Sequence, residues 1–182
     1  TGVVAVGGDH FTNDIAVGLR TPVPDGERIK RRCGCALSTM VADDETMEVA
    51  SVGGRKPRVM PRRVLSEILQ PRAEEIFHLL WDEIRNAGCD RSLNSGLVLT
   101  GGGAMLDGMA EIAEQIFDLP IRRGYPMGVG GLIDHVSSPE FATAVGLVMY
   151  AHRNHADDAR MPTGGALSRV AVKLRGLFRE FL

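Results

Sequence analysis

Three short stretches of this chain combine residue types that could do chemistry together. They are Gly7-Gly8-Asp9, Glu27-x-x-Lys30, and Thr100-Gly101-Gly102-Gly103 with Met105 close behind. Glycines let a backbone come within contact distance of a ligand. A carboxylate accepts hydrogen bonds from hydroxyls, an ammonium supplies three donors, and a thioether can lie flat against a ring. Each signal taken alone has a plainer alternative. A glycine triplet after a strand also serves as a tight turn, and Glu27 and Lys30, one helical turn apart, also fit an exposed ion pair worth a few tenths of a kcal/mol. The phosphate-cradling G-x-x-x-x-G-K-[ST] loop and the dinucleotide G-x-G-x-x-G pattern are both missing from the sequence.

Other catalytic signatures are weaker. His10, His78, His135, His152 and His155 do not fall at metal-ligand spacing, and even His152-x-x-His155 reads as a solvated pair at a helix end. Cys33, Cys35 and Cys89 are odd in number and show no C-x-x-C spacing, which argues against a disulfide framework or a zinc site. With no convincing base, nucleophile or metal cluster, the expectation is no catalytic residue and no metal site. The 182 residues carry a net charge of −2 and are 44% hydrophobic, enough to bury a core and too balanced to suggest nucleic acid as a partner. No apolar run reaches the roughly 20 residues that span a bilayer.

The elements that must position these residues follow from periodicity. Val3–Val6 reads as a buried strand ending at Gly7-Gly8, followed by a helix capped by Asp9 or Thr12 with Ile15, Ala16 and Leu19 on its inner face. Gly26–Cys33 reads as a second helix carrying Glu27 and Lys30, and Met47–Val52 alternates as a strand does. From Pro61 an apolar stripe through Val64, Leu65, Ile68, Leu69, Ile76, Leu79, Leu80 and Ile84 predicts a long helix, with Pro71 expected to kink or interrupt it and Phe77 and Trp81 packing in the core. Leu97–Leu99 predicts a strand, Gly101–Gly103 a turn, and the stripe from Met105 to Ile116 a helix. A short strand at Leu119–Ile121, a glycine-rich loop at Tyr125–Gly131 and a helix at Pro139–Tyr150 complete the pattern. Strands alternating with helices point to an α/β architecture.

The end of the chain differs in kind. Arg153–Gly165 is polar and reads as a linker. After it, Leu167, Val170, Ala171, Leu174, Leu177, Phe178 and Phe181 share one helical face, flanked by Arg169, Lys173, Arg175 and Arg179. A helix folded back on the domain, a coiled-coil strand and an interfacial membrane helix all fit such a stripe. The polar linker weighs against the first, and the Phe178/Phe181 bulk with basic flanks weighs against the second.

In this order and combination the motifs VGGDHFTNDIAVGLRTP, Glu27-x-x-Lys30, VLTGGGAMLDGM and SSPEFATAVGLVMY, followed by the linker and terminal helix, resemble the C-terminal half of the FtsA family. That family belongs to the actin and heat-shock-chaperone ATPase superfamily, and the resemblance covers essentially the whole chain. It implies the second lobe of an actin-like ATPase, a ribonuclease-H-like α/β layer with a helical subdomain. The implied domains are a lobe at 1–152 with the helical subdomain inserted at approximately 12–90, a linker at 153–166 and a membrane-targeting helix at 167–182. The phosphate loops of the first lobe are expected upstream of Thr1, so that half of the ATP site, with its Mg, would come from there. The resemblance implies that Gly7 and Gly8 approach the phosphate and ribose side, that Glu27 and Lys30 reach ribose and adenine, and that Gly101, Gly102, Gly103 and Met105 line the adenine pocket. Asp107 departs from the family, standing where relatives often have proline.

The resemblance further implies an ATP-binding cell-division protein with at most weak hydrolysis, which tethers the FtsZ ring to the cytoplasmic face of the bacterial membrane at the septum and helps assemble the divisome. Implied partners are the FtsZ C-terminal peptide, further copies of the chain in an actin-like polymer, anionic lipids and other divisome proteins. Arg62, Arg63 and Arg72 are the candidate contacts for the FtsZ peptide, although a solvated charged face is their simplest reading. Two other members of the superfamily are alternatives: a PilM-type pilus-assembly adaptor, and a sugar-kinase or chaperone-type ATPase.

Overall fold

The computed structural model describes residues 1–53, 55–130 and 136–159, with side chains described to residue 154. The chain divides into two units, Thr1–Thr143 and Ala144–Leu182. Helix α1 (Gly8–Gly18) starts directly after Gly7, whose N–H donates to His10 Nδ1 at 3.2 Å. Helix α2 (Val23–Cys33) begins three residues before the expected Gly26, because Pro24 lies in its first turn, where a missing N–H costs no intrahelical bond.

Strands β1 (Thr46–Val49) and β2 (Arg58–Pro61) form an antiparallel pair with Met47 opposite Met60. Helix α3 (Arg62–Asn86) then runs for 25 residues straight through Pro71. Proline removes one i→i−4 bond, but the stripe on either side is locked in the core: Leu65, Leu69 and Ala73 are fully buried and Phe77 nearly so. Each such large side chain contributes about 1.5–3 kcal/mol of burial, enough to offset a lost helical bond.

Strand β3 (Leu97–Leu99), helix α4 (Met109–Phe117) and strand β4 (Ile121–Arg123) make a βαβ unit, with β3 and β4 parallel and Leu97 opposite Ile121. Phe117 at the end of α4 meets Phe77 and Trp81 edge-on, at centroid distances of 5.7 and 5.4 Å. One apolar cluster therefore joins α1, α3, α4 and the hairpin. A 3₁₀ turn at Pro139–Phe141 precedes helix α5 (Ala142–Ala159).

Several expectations are corrected. Val3–Val6 forms no strand, and Val3 is 88% exposed; an apolar run becomes a strand only where a neighbour takes up its N–H and C=O groups, and no described residue does. Helix α4 starts at Met109 rather than Met105. The Asp107 carbonyl instead accepts the Ala36 N–H at 2.6 Å in an isolated bridge with Cys35, and Gly108 turns the chain at φ +79°. Strand β4 lies two residues later than Leu119–Ile121, after Asp118 at φ +51°. Helix α5 continues through Arg153 to Ala159, so the first seven residues of the expected linker are helical; polar composition does not by itself end a helix that lacks an internal proline or glycine there. The rest of that linker and the expected helix at 167–182 lie outside the described residues.

Candidate functional site: a cleft between two glycine-edged walls

A cleft of ≈ 420 Å³ lies between α1–α2 on one side and the Gly102–Met105 3₁₀ turn on the other. Gly8, Glu27 and Lys30 line the first wall, and Gly102, Gly103 and Met105 the second. Segments more than 70 positions apart thus converge on one space. Of the expected nucleotide residues, Gly7 and Gly101 stand just behind these walls, Gly7 as the extended residue before α1 and Gly101 at φ +88° before the 3₁₀ turn.

The first wall is held by side chains. Lys30 Nζ donates to the Gly8 carbonyl at 2.9 Å and to the Thr12 hydroxyl at 2.8 Å, and pairs with Glu27 Oε2 at 2.5 Å. Its three hydrogens are therefore all engaged. The Thr12 hydroxyl in turn donates a hydrogen bond to Glu27 Oε2 at 2.5 Å. Burial opposes ionisation of Glu27, yet the hydrogen bonds from Lys30 and Thr12 and the nearby charges of Lys30 and Arg31 outweigh it and hold the carboxyl below its ordinary range. Glu27 and Lys30 are thus more than an exposed helical pair, since the Lys30 side chain is only 14% exposed. Thr12, buried in the second turn of α1 rather than capping it, is the residue that sequence reasoning missed in this role. Its partners lie 15 and 18 positions away, on another helix, where no local spacing rule reaches.

The second wall is held by backbone. Gly34 and Gly108 are required by close approach: a Cβ on Gly34 would lie 2.3 Å from the Lys30 carbonyl oxygen, and one on Gly108 would lie 2.7 Å from the Leu37 nitrogen. At Gly108 the segment after the 3₁₀ turn lies directly against Leu37, just past α2, whereas Gly34 is crowded by the last turn of α2 itself and by Leu106. Gly102 and Gly103 differ, because a Cβ on either would meet no atom of the described residues within 4 Å. Packing against the described residues does not require glycine at either position, and the backbone there is open for a ligand to approach. Met105 is 45% exposed beside them, its Sδ accepting the Ser138 hydroxyl at 3.4 Å.

Charge around the cleft is mixed: Lys30, Arg31 and Arg32 face Asp9, Glu27, Asp107 and Glu140, three cations against four carboxylates. These walls carry no positive excess for a polyphosphate. They suit the uncharged part of a ligand, with glycine backbone for a flat ring and a carboxylate for hydroxyls. The cleft volume falls within the roughly 300–1,000 Å³ of ordinary small-molecule sites.

The three arginines expected to contact a partner lie elsewhere. Arg62 pairs with Glu45 at 2.6 Å and donates through Nε to the Cys33 carbonyl, tying α3 to the hairpin and α2. Arg63 pairs with Asp43 at 2.5 Å, and Arg72 grips Asp14 through Nε at 2.7 Å and also bonds Glu75. The hydrogen bond from Arg62 and the Ala42 N–H keep Glu45 below the usual carboxylate range. Among the described residues no three His, Cys, Asp or Glu side chains gather as a metal site, and no helix is long and apolar enough to cross a membrane.

Comparison with known proteins places this geometry in context. The family described as "Cell division protein FtsA" matches residues 1–146. The FtsA of Pseudomonas aeruginosa is 43% identical over 166 residues, covering 91% of this chain and 40% of that protein. The Escherichia coli K12 protein is 41% identical over 162 residues (85% and 39%), and that of Borreliella burgdorferi 34% over 182 residues (98% and 44%). The chain thus spans about 40% of the length of these curated relatives. Among solved structures, Spiroplasma citri MreB5 bound to AMPPNP matches with a TM-score of 0.65 at 18% identity, over 86% of this chain and 47% of that one. The same protein bound to ADP matches equally, at 16% identity. At that identity the likeness establishes an actin-like fold.

Proposed function

The chain belongs to the FtsA family of cell division proteins, and we propose that it forms the nucleoside-holding lobe of an ATP-binding, actin-like tether for the FtsZ ring. The observation that carries the reading is the convergence of Gly8, Glu27 and Lys30 with Gly102, Gly103 and Met105 on one cleft, where Gly102 and Gly103 present backbone that no described residue covers. Residues and group fit: backbone at Gly102–Gly103 can receive a purine, Met105 can border it, and the Glu27 carboxylate can accept from ribose hydroxyls. The structural relative MreB5 was solved with AMPPNP and with ADP, which supports a nucleotide in this cleft. When bound, ATP with its Mg would bridge this lobe to the rest of the protein. The mixed charge of these walls supports a nucleoside there rather than the phosphates.

Residues 167–182 supply the membrane end of the tether in this reading. Four cations near an anionic leaflet contribute about 1 kcal/mol each, and the Leu/Phe face inserts. Ordering the segment costs about 1–2 kcal/mol per residue in backbone entropy, so one tail is a weak anchor. Many tails displayed on a polymer hold firmly yet release when the polymer comes apart. For the FtsZ peptide, Arg63 is the best placed of the three arginines. Its partner Asp43 is 86% exposed, so a peptide carboxylate can displace it, whereas Arg62 is engaged in holding the fold.

The test uses the full-length protein with vesicles containing anionic lipid. Wild type is expected to pellet with vesicles and to carry FtsZ with it, and Phe178→Glu to lose the vesicles while still binding ATP. Equal pelleting by the variant would sink the membrane reading, and no ATP binding by wild type would sink the nucleotide reading.

A further inference from the structure

We infer that Thr12 is a positioning residue that makes the cleft select nucleotides carrying ribose hydroxyls over their deoxy counterparts, an inference that rests on the nucleotide reading above. Thr12 is 5% exposed and sits at a close approach of α1 and α2, where a Cβ on Gly26 would lie 3.2 Å from the Thr12 carbonyl oxygen. Its hydroxyl stands between the two charged groups of the wall, accepting from Lys30 at 2.8 Å and donating to Glu27 Oε2 at 2.5 Å. Two consequences follow for the carboxylate.

First, Oε2 receives both Lys30 and Thr12, which fixes the rotation of the carboxylate; no described residue bonds to Oε1. That oxygen is an acceptor held ready for a ligand hydroxyl. Second, Lys30 has no hydrogen to spare while Thr12 takes one of its three, with Gly8 and Glu27 taking the others. At this edge the cleft therefore offers one charged acceptor and no ammonium donor, a pattern that rewards a ligand able to donate. A ligand lacking the hydroxyl would forgo a charge-assisted hydrogen bond to that oxygen, whose side chain is 42% exposed and otherwise meets water.

Replacing Thr12 by valine keeps the shape and removes the hydroxyl. Lys30 then has one hydrogen free, the nearby Oε1 is its obvious acceptor, and the carboxylate is free to turn toward it. The ligand hydroxyl would meet an acceptor already neutralised by its own lysine.

The experiment measures equilibrium binding of ATP, 2′-deoxy-ATP and 3′-deoxy-ATP to the full-length protein as wild type, Thr12→Val and Thr12→Ser. Wild type should favour ATP over at least one deoxy analogue by about tenfold or more. Thr12→Val should bring that ratio to within about threefold, and Thr12→Ser, which restores the hydroxyl, should keep most of it. The readout is a ratio of affinities, so a uniform loss of folded protein cancels; should the valine variant not fold, Thr12→Ala is read the same way. A wild-type ratio retained by the valine or alanine variant overturns the inference alone, as does a wild type that binds all three equally. Failure of wild type to bind any of the three overturns the nucleotide reading and the inference with it.

Discussion

The two walls of the cleft are built by opposite means. The α1–α2 wall is a closed network of side chains in which Gly8, Thr12, Glu27 and Lys30 satisfy one another within 3 Å in four separate contacts. The glycine wall makes no such network; its shape comes from backbone, with Gly101 and Gly108 at positive φ and Gly34 and Gly108 too crowded for a side chain. A side-chain wall can present one chosen atom, here Glu27 Oε1. A backbone wall can come flush against a flat surface. Together they suit a ligand with a flat end and a hydroxylated middle.

The difference yields predictions of graded size. The largest effect is expected at the hinge of the backbone wall. Gly108→Val places a branched residue at φ +79° and drives its Cβ into the Leu37 backbone, so stability should fall by about 2–5 kcal/mol in chemical denaturation. A loss under about 0.5 kcal/mol would mean that the backbone wall is not held as described. Next is Gly103→Val, whose side chain enters open space. Stability should stay within about 0.5 kcal/mol of wild type, while ATP affinity drops about tenfold or more. Unchanged affinity would remove the ligand explanation for that glycine.

The smallest effect is the pH dependence of the side-chain wall. Glu27 titrates below its ordinary value of 4.5 in the folded protein, so its contribution is fully present above that value and is lost as pH falls through the lower, folded one. ATP affinity should therefore be insensitive to Glu27 across the neutral range and decline only on the acid side, and Glu27→Gln should lack that acid-side component. A Glu27-dependent change near pH 7 would contradict the network.

Much of this site was legible in the sequence, for reasons that also explain what was not. Gly101–Gly103 after a strand and Glu27-x-x-Lys30 on a helix are local patterns, and Gly102, Gly103, Glu27 and Lys30 line the cleft, with Gly101 just behind it. Phe77 read correctly as core because helical spacing places it on the buried stripe of α3, and Trp81, one turn on, is half-buried against that core. Thr12 did not read as part of the site, since its role depends on a helix crossing that no single stretch encodes. Val3–Val6 misled in the other direction: apolar composition favours a strand, but pairing depends on what lies alongside. Pro71 does not interrupt α3, because its local cost is outweighed by burial at Leu65, Leu69, Ala73 and Phe77. Strand β2 went unread because RVMP ends in proline and alternates weakly, and its partner β1 fixes it through the Arg58–Pro61 register.

The central claim is that both walls hold one nucleotide, the backbone wall its base and the side-chain wall its ribose. The most direct measurement is a crystal structure of the full-length protein with AMPPNP. The account predicts the purine against Gly102, Gly103 and Met105, with a ribose hydroxyl within hydrogen-bond distance of the Glu27 carboxylate and Lys30 still bonded to Thr12. A purine bound away from Gly102–Met105, or a ribose out of reach of Glu27, would contradict it.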